Sequence, residues 1–449
     1  MRLLLVLSIA TLSLPLEAAR PLTLEEAQRL AAENNRGLKL ARLKVEEAAH
    51  KRAGARADYF PKALANANYL EFNEKLGSTI TAGDLGLGFL PPPFPSIPVP
   101  INLVKQGLFL GGATIAQPLT QLVKVRQGVN AAASDEEIAR AQSATGRHEV
   151  RYAVEQLYYA VLIAQRQRSA AAAKIPAAEE LLQDARNAVE TGNALAVASI
   201  GRRAALLEAK QNLQAAADLE ADYTEALNVA IGLPPTTELS LTEPERPQFP
   251  LLTPGEAVRQ ALEHSPEAAE ARAGIDKARA GVRAAQADYI PEITAVAQYF
   301  HQAGVPTLPG NFGAVGASAT YTAFDAGKRR DLVRERKTLL AQAEENLKRV
   351  EDDLDQEVRK SLRNMDRSLQ MVNVAREVIA LRSESERLAK DQYELGTGLK
   401  SAYTESQAAR QAAEVDLLRA EAGWRVALAE LRKQLGQADD SGGRAAPPK

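Results

Sequence analysis

Cysteine is absent from all 449 residues, which excludes thiol catalysis, disulfide bracing and zinc–thiolate sites together. Histidine is nearly as scarce: His50, His148, His264 and His301 are scattered without metal-ligand spacing. No phosphate-binding glycine loop or nucleophile motif occurs either, so neither enzyme, cofactor nor metal is expected. The net charge is only −2 although 25% of residues are charged, so no basic field recruits nucleic acid. Long apolar runs are missing as well. The only candidate, Leu3–Leu14, falls short of the ~20 residues a membrane helix needs. Preceded by Arg2 and followed by Ala18 and Ala19, it reads as a secretory signal over 1–18, and no cysteine follows to carry a lipid anchor. Any membrane role must then rest on strands.

What the chain does contain, it contains twice. Ala-Arg-Ala-Asp-Tyr-Phe-Pro at 55–61 answers Ala-Gln-Ala-Asp-Tyr-Ile-Pro at 285–291, and each is followed by a segment in strand register. Upstream, Leu22-Thr23-x-x-Glu26-Ala27-x-Arg29 answers Leu252-Thr253-x-x-Glu256-Ala257-x-Arg259 at the same offset of 230. Duplication of this kind sets the fold. Pro61 and Pro291 stop their helices because proline lacks an amide proton and clashes with the preceding turn.

Strands are predicted over about 62–72, 106–119, 292–302 and 312–324. In the first, Leu64, Asn66, Asn68 and Leu70 face one way and Ala63, Ala65, Ala67 and Tyr69 the other. Residues 73–105, with the proline run Pro91–Pro100, read as a loop of polyproline character. Thirteen of the 21 aromatic residues fall in 57–120 and 287–325, a distribution that suits interfacial girdles and also a soluble β-core.

Helical periodicity without strand pattern fills 121–190 and 326–395, each about 105 Å long at 1.5 Å per residue. Glycine turns at 190–193 and 394–398 end them, and Gly192 to Gly232 and Gly396 to Gly436 are equal intervals. The returning helices and the shorter helices before the strands have the combined length to stack beside the long ones. The segments are therefore a signal (1–18), a first repeat (19–232), a linker at mid-height (233–254), a second repeat (255–436) and a disordered tail (437–449).

Four strands cannot close a membrane barrel, and lipid leaves no strand edge unpaired, so strands in a bilayer imply oligomerisation. Three chains supply twelve strands, within the range of outer-membrane barrels. The fold class is thus mainly α with a small β part. Duplicated, coiled-coil-like helices form a trimeric α-barrel joined to a 12-stranded β-barrel. A soluble periplasmic coiled-coil scaffold or adaptor, with the strands in a small β-domain, is the alternative from another class.

With these elements in order the chain resembles the TolC family of outer-membrane efflux channels over roughly 20–436. The likeness rests on Asp58-Tyr59-x-Pro61 and Asp288-Tyr289-x-Pro291, on Phe324-Asp325-Ala326-Gly327-Lys328-Arg329, and on the glycine tips with equal return helices. The resemblance implies an outer-membrane homotrimer with a long periplasmic extension, which meets a periplasmic adaptor and an inner-membrane pump for efflux or type I secretion. It implies a pore gate near Glu405 and Tyr393. Here the family's other acidic gate position is Ala402, the tyrosine's acidic partner is Ala198, and the family's arginine is Gly398. A weaker or differently held gate is expected. The implied adaptor-docking tips are Gly192, Asn193, Ala194 and Leu195, with Gly396, Thr397, Gly398, Leu399 and Ser401. Helix-to-strand junctions fall at Tyr59, Pro61, Pro118, Tyr289 and Pro291. Ala323 stands where the first repeat has Pro118, so a less sharp bend is expected there.

Overall fold

The computed structural model describes residues 21–74, 76–80, 99–104, 107–244, 252–306 and 308–436. The signal, the tail 437–449 and most of the Pro91–Pro100 run lie outside the described residues. In the first repeat the elements are β1 (Pro21–Leu22), α1 (Leu24–Asn34), α2 (Arg36–Ala57), β2 (Lys62–Glu71), β3 (Leu76–Ile80), β4 (Val99–Val104), β5 (Gly107–Pro118), α3 (Leu122–Glu190) and α4 (Ala196–Ile231). After β6 (Ser240–Leu241) the second repeat adds α5 (Pro254–His264), α6 (Pro266–Ala287), β7 (Glu292–Ala303), β8 (Asn311–Thr320), α7 (Lys328–Glu394) and α8 (Lys400–Gln434). The mainly helical, duplicated architecture with a small β part is as the sequence predicts.

Local chemistry explains why the two halves start alike. Thr23 accepts the Glu26 amide proton at 3.2 Å, and Thr253 forms a capping box with Glu256 on α5, whose first residue is Pro254. The stripes Ala27/Ala31 and Ala257/Ala261 are fully covered. Asn35 and Ser265 then serve twice. Their amides close the short helix onto Ala31 and Ala261, and their side chains cap α2 and α6.

The chain divides into two compact units, and neither is a repeat. One runs from Val45 to Ala139 and from Ala271 to Leu347. It holds an antiparallel sheet of order β2-β5-β7-β8, so the repeats meet at β5–β7. Ion pairs give its helix order: Arg52–Glu136 at 3.1 Å joins α2 to α3, and Lys277–Asp135 at 2.7 Å joins α6 to α3. On the other side of α6, Gly281 faces the Arg336 stem of α7. The helices thus follow the strands they feed or drain.

The other unit takes the residues up to Lys44, Arg140–Glu270 and those from Lys348 on. Each repeat builds its own core there. The first packs Leu24, Ala27, Val154, Tyr158, Val161, Leu227 and Ile231 from α1, α3 and α4. The second packs Ala257, Val358, Met365, Trp424, Leu428 and Leu431 from α5, α7 and α8. A fully buried Leu or Ile contributes about 1.5–3 kcal/mol, and Ala422 of α8 also packs into the first core. Arg425 of α8 joins them, its guanidinium 5.5 Å from the centre of the Tyr159 ring and donating to that hydroxyl at 3.3 Å. The lateral order is α4-α3-α8-α7, carried by Arg168–Glu220 (3.2 Å), Lys400–Glu180 (2.5 Å) and Arg376–Glu421 (2.8 Å).

Three features differ from the sequence reading. Part of the stretch read as a loop is a hairpin, β3–β4, that carries the chain beyond β2 and β5. The linker contains β6, which pairs in parallel with β1. The Tyr158 hydroxyl lies 2.7 and 2.5 Å from the Leu22 and Thr242 carbonyl oxygens, and burial pushes it up to about 12, so it keeps its proton. Finally β8 stops at Thr320, and residues 321–327 form a longer connection than 119–121 of the first repeat. There Ala326 and Gly327 are left-handed (φ 53° and 88°), so the bend at Ala323 is replaced by a wound turn rather than relaxed.

The stacking of short on returning helices depends on two glycines. Gly232 and Gly436 end α4 and α8 in the left-handed region (φ 78° and 69°). A Cβ at Gly232 would stand 2.5 Å from Asn34 Cβ, and one at Gly436 2.6 Å from the His264 carbonyl oxygen. Gly232→Ala and Gly436→Ala should each cost at least about 1–3 kcal/mol from backbone strain alone. Urea unfolding will show this as a lower midpoint, with Gly255→Ala, where a Cβ meets nothing within 4 Å, as the control that does not fall.

Candidate functional site

Directly opposed residues in a sheet share a face, so the register sorts the side chains. One face carries Ala63, Ala65 and Ala67 of β2, Gly111, Ala113 and Ile115 of β5, Ile293, Ala295 and Ala297 of β7, and Val315, Ala317 and Ala319 of β8. Tyr69, Phe109 and Tyr299 lie toward one end of this band, where the polar residues Glu71, His301 and Asn311 also stand, and Gln117 stands at the other end. The opposite face carries Asn66, Asn68, Thr114, Thr294, Gln298 and Ser318, interspersed with Leu64, Leu70, Leu110 and Val296. An apolar band with an aromatic rim, backed by a polar face, is the pattern of a strand between lipid and water. The strands have 10, 12, 12 and 10 residues, against the ~9–11 that a tilted membrane strand needs.

At the foot of the sheet the predicted junction residues do different jobs. Pro61 and Pro291 each precede a strand by one residue, after turns that close Tyr59 on Arg56 and Tyr289 on Gln286. Pro118 ends β5, still in register with Thr294. Thr120 then receives the Ile293 amide proton at 2.8 Å and donates to the Pro291 carbonyl at 2.6 Å, tying the two repeats. Lys124–Asp288 (2.6 Å) and a Gln121–Glu292 hydrogen bond reinforce the tie.

The counterpart in the second repeat is Arg329, a role that the sequence reading missed although it quoted the residue. Its guanidinium lies 5.4 and 5.3 Å from the ring centres of Tyr289 and Tyr321, pairs with Asp325 at 2.8 Å, and donates to the carbonyls of Thr322 and Asp288. Asp325 also accepts the Gly327 and Arg329 amide protons, and this set, led by the Arg329 side chain, holds its carboxyl below the usual range. The pair is largely covered, at 16% and 20% exposure. An arginine four residues after an aspartate across Ala-Gly was the available signal.

At the far ends of the long helices the two tips are built alike. The Gly192 N–H bonds to Val189, and those of Asn193 and Ala194 both reach the Ala188 carbonyl. Gly396 bonds to Tyr393, and Thr397 and Gly398 both reach Gln392. Gly192 and Gly396 are left-handed, φ 76° and 70°. Leu195 and Leu399 sit at the N-caps of α4 and α8, 79% and 66% exposed, and Leu395, Val197 and Ile200 extend the apolar tip. Ser401 does not belong to that surface. It is buried, at 4% exposure, because it faces inward on the first turn of α8.

The predicted gate residues are not brought together. Tyr393 stacks on Tyr403 at 6.1 Å and 10°, joining α7 to α8, whereas Glu405 is exposed on α8. Ala198 and Ala402 are exposed and small. A Cβ at Gly398 would stand 3.0 Å from Gln392 Cβ, so the tight turn crowds out a side chain there. The polar link at this level is Lys400–Glu180, whose hydrogen bond raises the Lys400 pKa. Among the described residues no acidic or histidine cluster could hold a metal ion, and no helix is long and apolar enough to cross a membrane.

The family model for outer membrane efflux proteins matches residues 28–233 and 257–437. No curated protein matches the chain. Among solved structures, the CmeC outer membrane channel of Campylobacter jejuni aligns with TM-score 0.75 and 16% identity, over 93% of this chain and 87% of its own. The MtrE outer membrane channel of Neisseria gonorrhoeae, in its open state, aligns with TM-score 0.72 and 18% identity over 92% and 88%. A membrane protein from Pseudomonas aeruginosa aligns with TM-score 0.73 and 18% identity over 94% and 92%. At such identities these likenesses carry the fold.

The Arg329 knot makes a pH-dependent prediction. Asp325 has a depressed pKa, so its contribution is fully present above the ordinary aspartate pKa of about 3.9 and disappears as pH falls through the folded value. Arg329→Met should therefore lower stability at neutral pH, and its deficit against the unsubstituted protein should shrink below about pH 4. Denaturant midpoints measured across that range check both signs.

Proposed function

Since the chain belongs to the outer membrane efflux protein family, we propose that it is the exit duct of a tripartite export system, working as a homotrimer. The observation that carries this reading is that both layers of the chain end in open edges. Strands β2 and β8 flank the sheet with every residue exposed. Helices α4 and α7 flank the helical layer. Exposed Met371, Val374, Val378, Leu381 and Leu388 follow a three-and-four spacing along α7, and Val197, Ile200 and Leu207 are exposed on α4. Such a seam is what a partner helix covers. Three copies of the four-stranded sheet make twelve strands, which pairs every edge.

In this arrangement the alanine-rich face meets outer-membrane lipid and the Asn/Gln/Thr face lines the lumen. The helices extend into the periplasm, where the exposed tips, Gly192–Leu195 and Gly396–Leu399, dock an adaptor that joins the duct to an inner-membrane pump. Three copies of Glu405 ring the pore near the tip. The Tyr393–Tyr403 stack and the Lys400–Glu180 pair hold the α7–α8 hairpin against α3, in place of links that Ala198, Gly398 and Ala402 cannot make. The choice among drugs, metal ions and proteins resides mostly in the pump.

Single-channel recording of detergent-purified protein in a planar bilayer tests the duct and its gate. Cation-selective openings are expected, with larger conductance or weaker selectivity in Glu405→Ala, because removing three carboxylates weakens the acidic ring. Openings unchanged by the substitution would remove Glu405 from the gate. Protein that leaves membranes in an alkaline wash without detergent and never conducts would overturn the duct.

A further inference from the structure

The polar face of the sheet has one aromatic interruption. Phe300 of β7 and Phe312 of β8 are directly opposed, and their rings stack with centres 5.0 Å apart and planes 22° from parallel. Across the other ladder Phe300 faces Gly112, which has no side chain, and Gly112 in turn faces Asn66. The row therefore reads amide, gap, ring, ring. On the row toward the loop end stand Asn68 and Leu110, and the row on the other side carries Thr114 and Gln298. From Asn66 to Phe312 this wall has no ionisable group.

The loop after β7 folds over the same face. Gln302 shares that face and donates to the carbonyls of Val305, Leu308 and Pro309, while Gly304 closes onto Leu108. The aromatic pair thus lies just inside a narrowed rim. Phe300 is half-buried, and Phe312, on the edge strand β8, is 40% exposed in the single chain.

We propose that Phe300 and Phe312 form a contact site for exported molecules that carry an aromatic ring. The inference rests on the duct reading above, in which this face is lumenal. Repeated three times, the pairs make an aromatic collar below the mouth. A planar ring stacks on the open face of Phe312, an organic cation gains from the ring's negative face, and the gap over Gly112 admits a substituent to the Asn66 amide. A face that otherwise carries amides, hydroxyls and aliphatic side chains such as Leu64, Leu70 and Leu110 acquires at this level a preference for aromatic over aliphatic molecules of the same charge.

The test is the dwell time of current blocks by tetraphenylphosphonium and by the aliphatic cation tetrabutylammonium in single-channel recordings. Longer blocks by tetraphenylphosphonium are expected, shortened about three- to tenfold in Phe312→Leu, the range that one aromatic contact covers. Phe300→Leu reads the same quantity where the first variant fails to assemble. Tyr299→Leu, on the opposite face, should leave dwell times unchanged. Equal dwell times in all these proteins, or a loss confined to Tyr299→Leu, would overturn the collar and leave the duct intact. Absence of channels from the unsubstituted protein would overturn both.

Discussion

A strand edge presents unpaired N–H and C=O groups, and hydrocarbon offers them no partner. That constraint governs this molecule more than any core contact. The four-stranded sheet has two edges, β2 and β8, and the helical layer ends correspondingly in α4 and α7. All four borders keep exposed side chains, and none is blunted by the prolines or inward charges with which soluble sheets protect themselves.

Duplication gives the fold its regularity, and the departures from regularity are local. Helix starts, strand starts, tips and closing glycines recur pairwise with the same hydrogen bonds. The differences cluster where one repeat does something the other does not. Thr120 ties the repeats on a three-residue connection, whereas Arg329 holds a seven-residue one. Tyr393 stacks at one tip where the other has Val189. Repeat symmetry therefore serves the framework, and its breaking marks the places where chemistry differs.

Much of this was legible in the residues. Pro61 and Pro291 announce the strand starts, the alternation Ala63–Tyr69 announces a two-faced sheet, and the uninterrupted helical stretches announce α3 and α7. Patterns of that length average over many residues, so single contacts do not disturb them. What was not legible depends on contacts between distant residues. The β1–β6 pair is two residues long and carries no periodicity, and β3–β4 is hidden in a run rich in glycine and proline. The Arg329 knot needs two tyrosines 40 and 8 residues away to be aligned by the fold. At the tip, Ser401 and Glu405 sit one turn apart on α8, and which of them faces outward is a matter of packing.

The Tyr158 clamp bears on the order in which the chain folds. It joins Leu22 to Thr242, so the amino-terminal strand stays unsatisfied until some 220 residues have been made, and the first core is completed only when Ala422 of α8 packs into it. The second core draws its buried residues from its own half, α5, α7 and α8. The β5–β7 ladder requires both halves at once, and its contacts span about 180 residues. Loop closure makes such pairing slow relative to local helix packing. Residues of the sheet that lie far apart in the chain therefore meet later than the neighbours within each long helix.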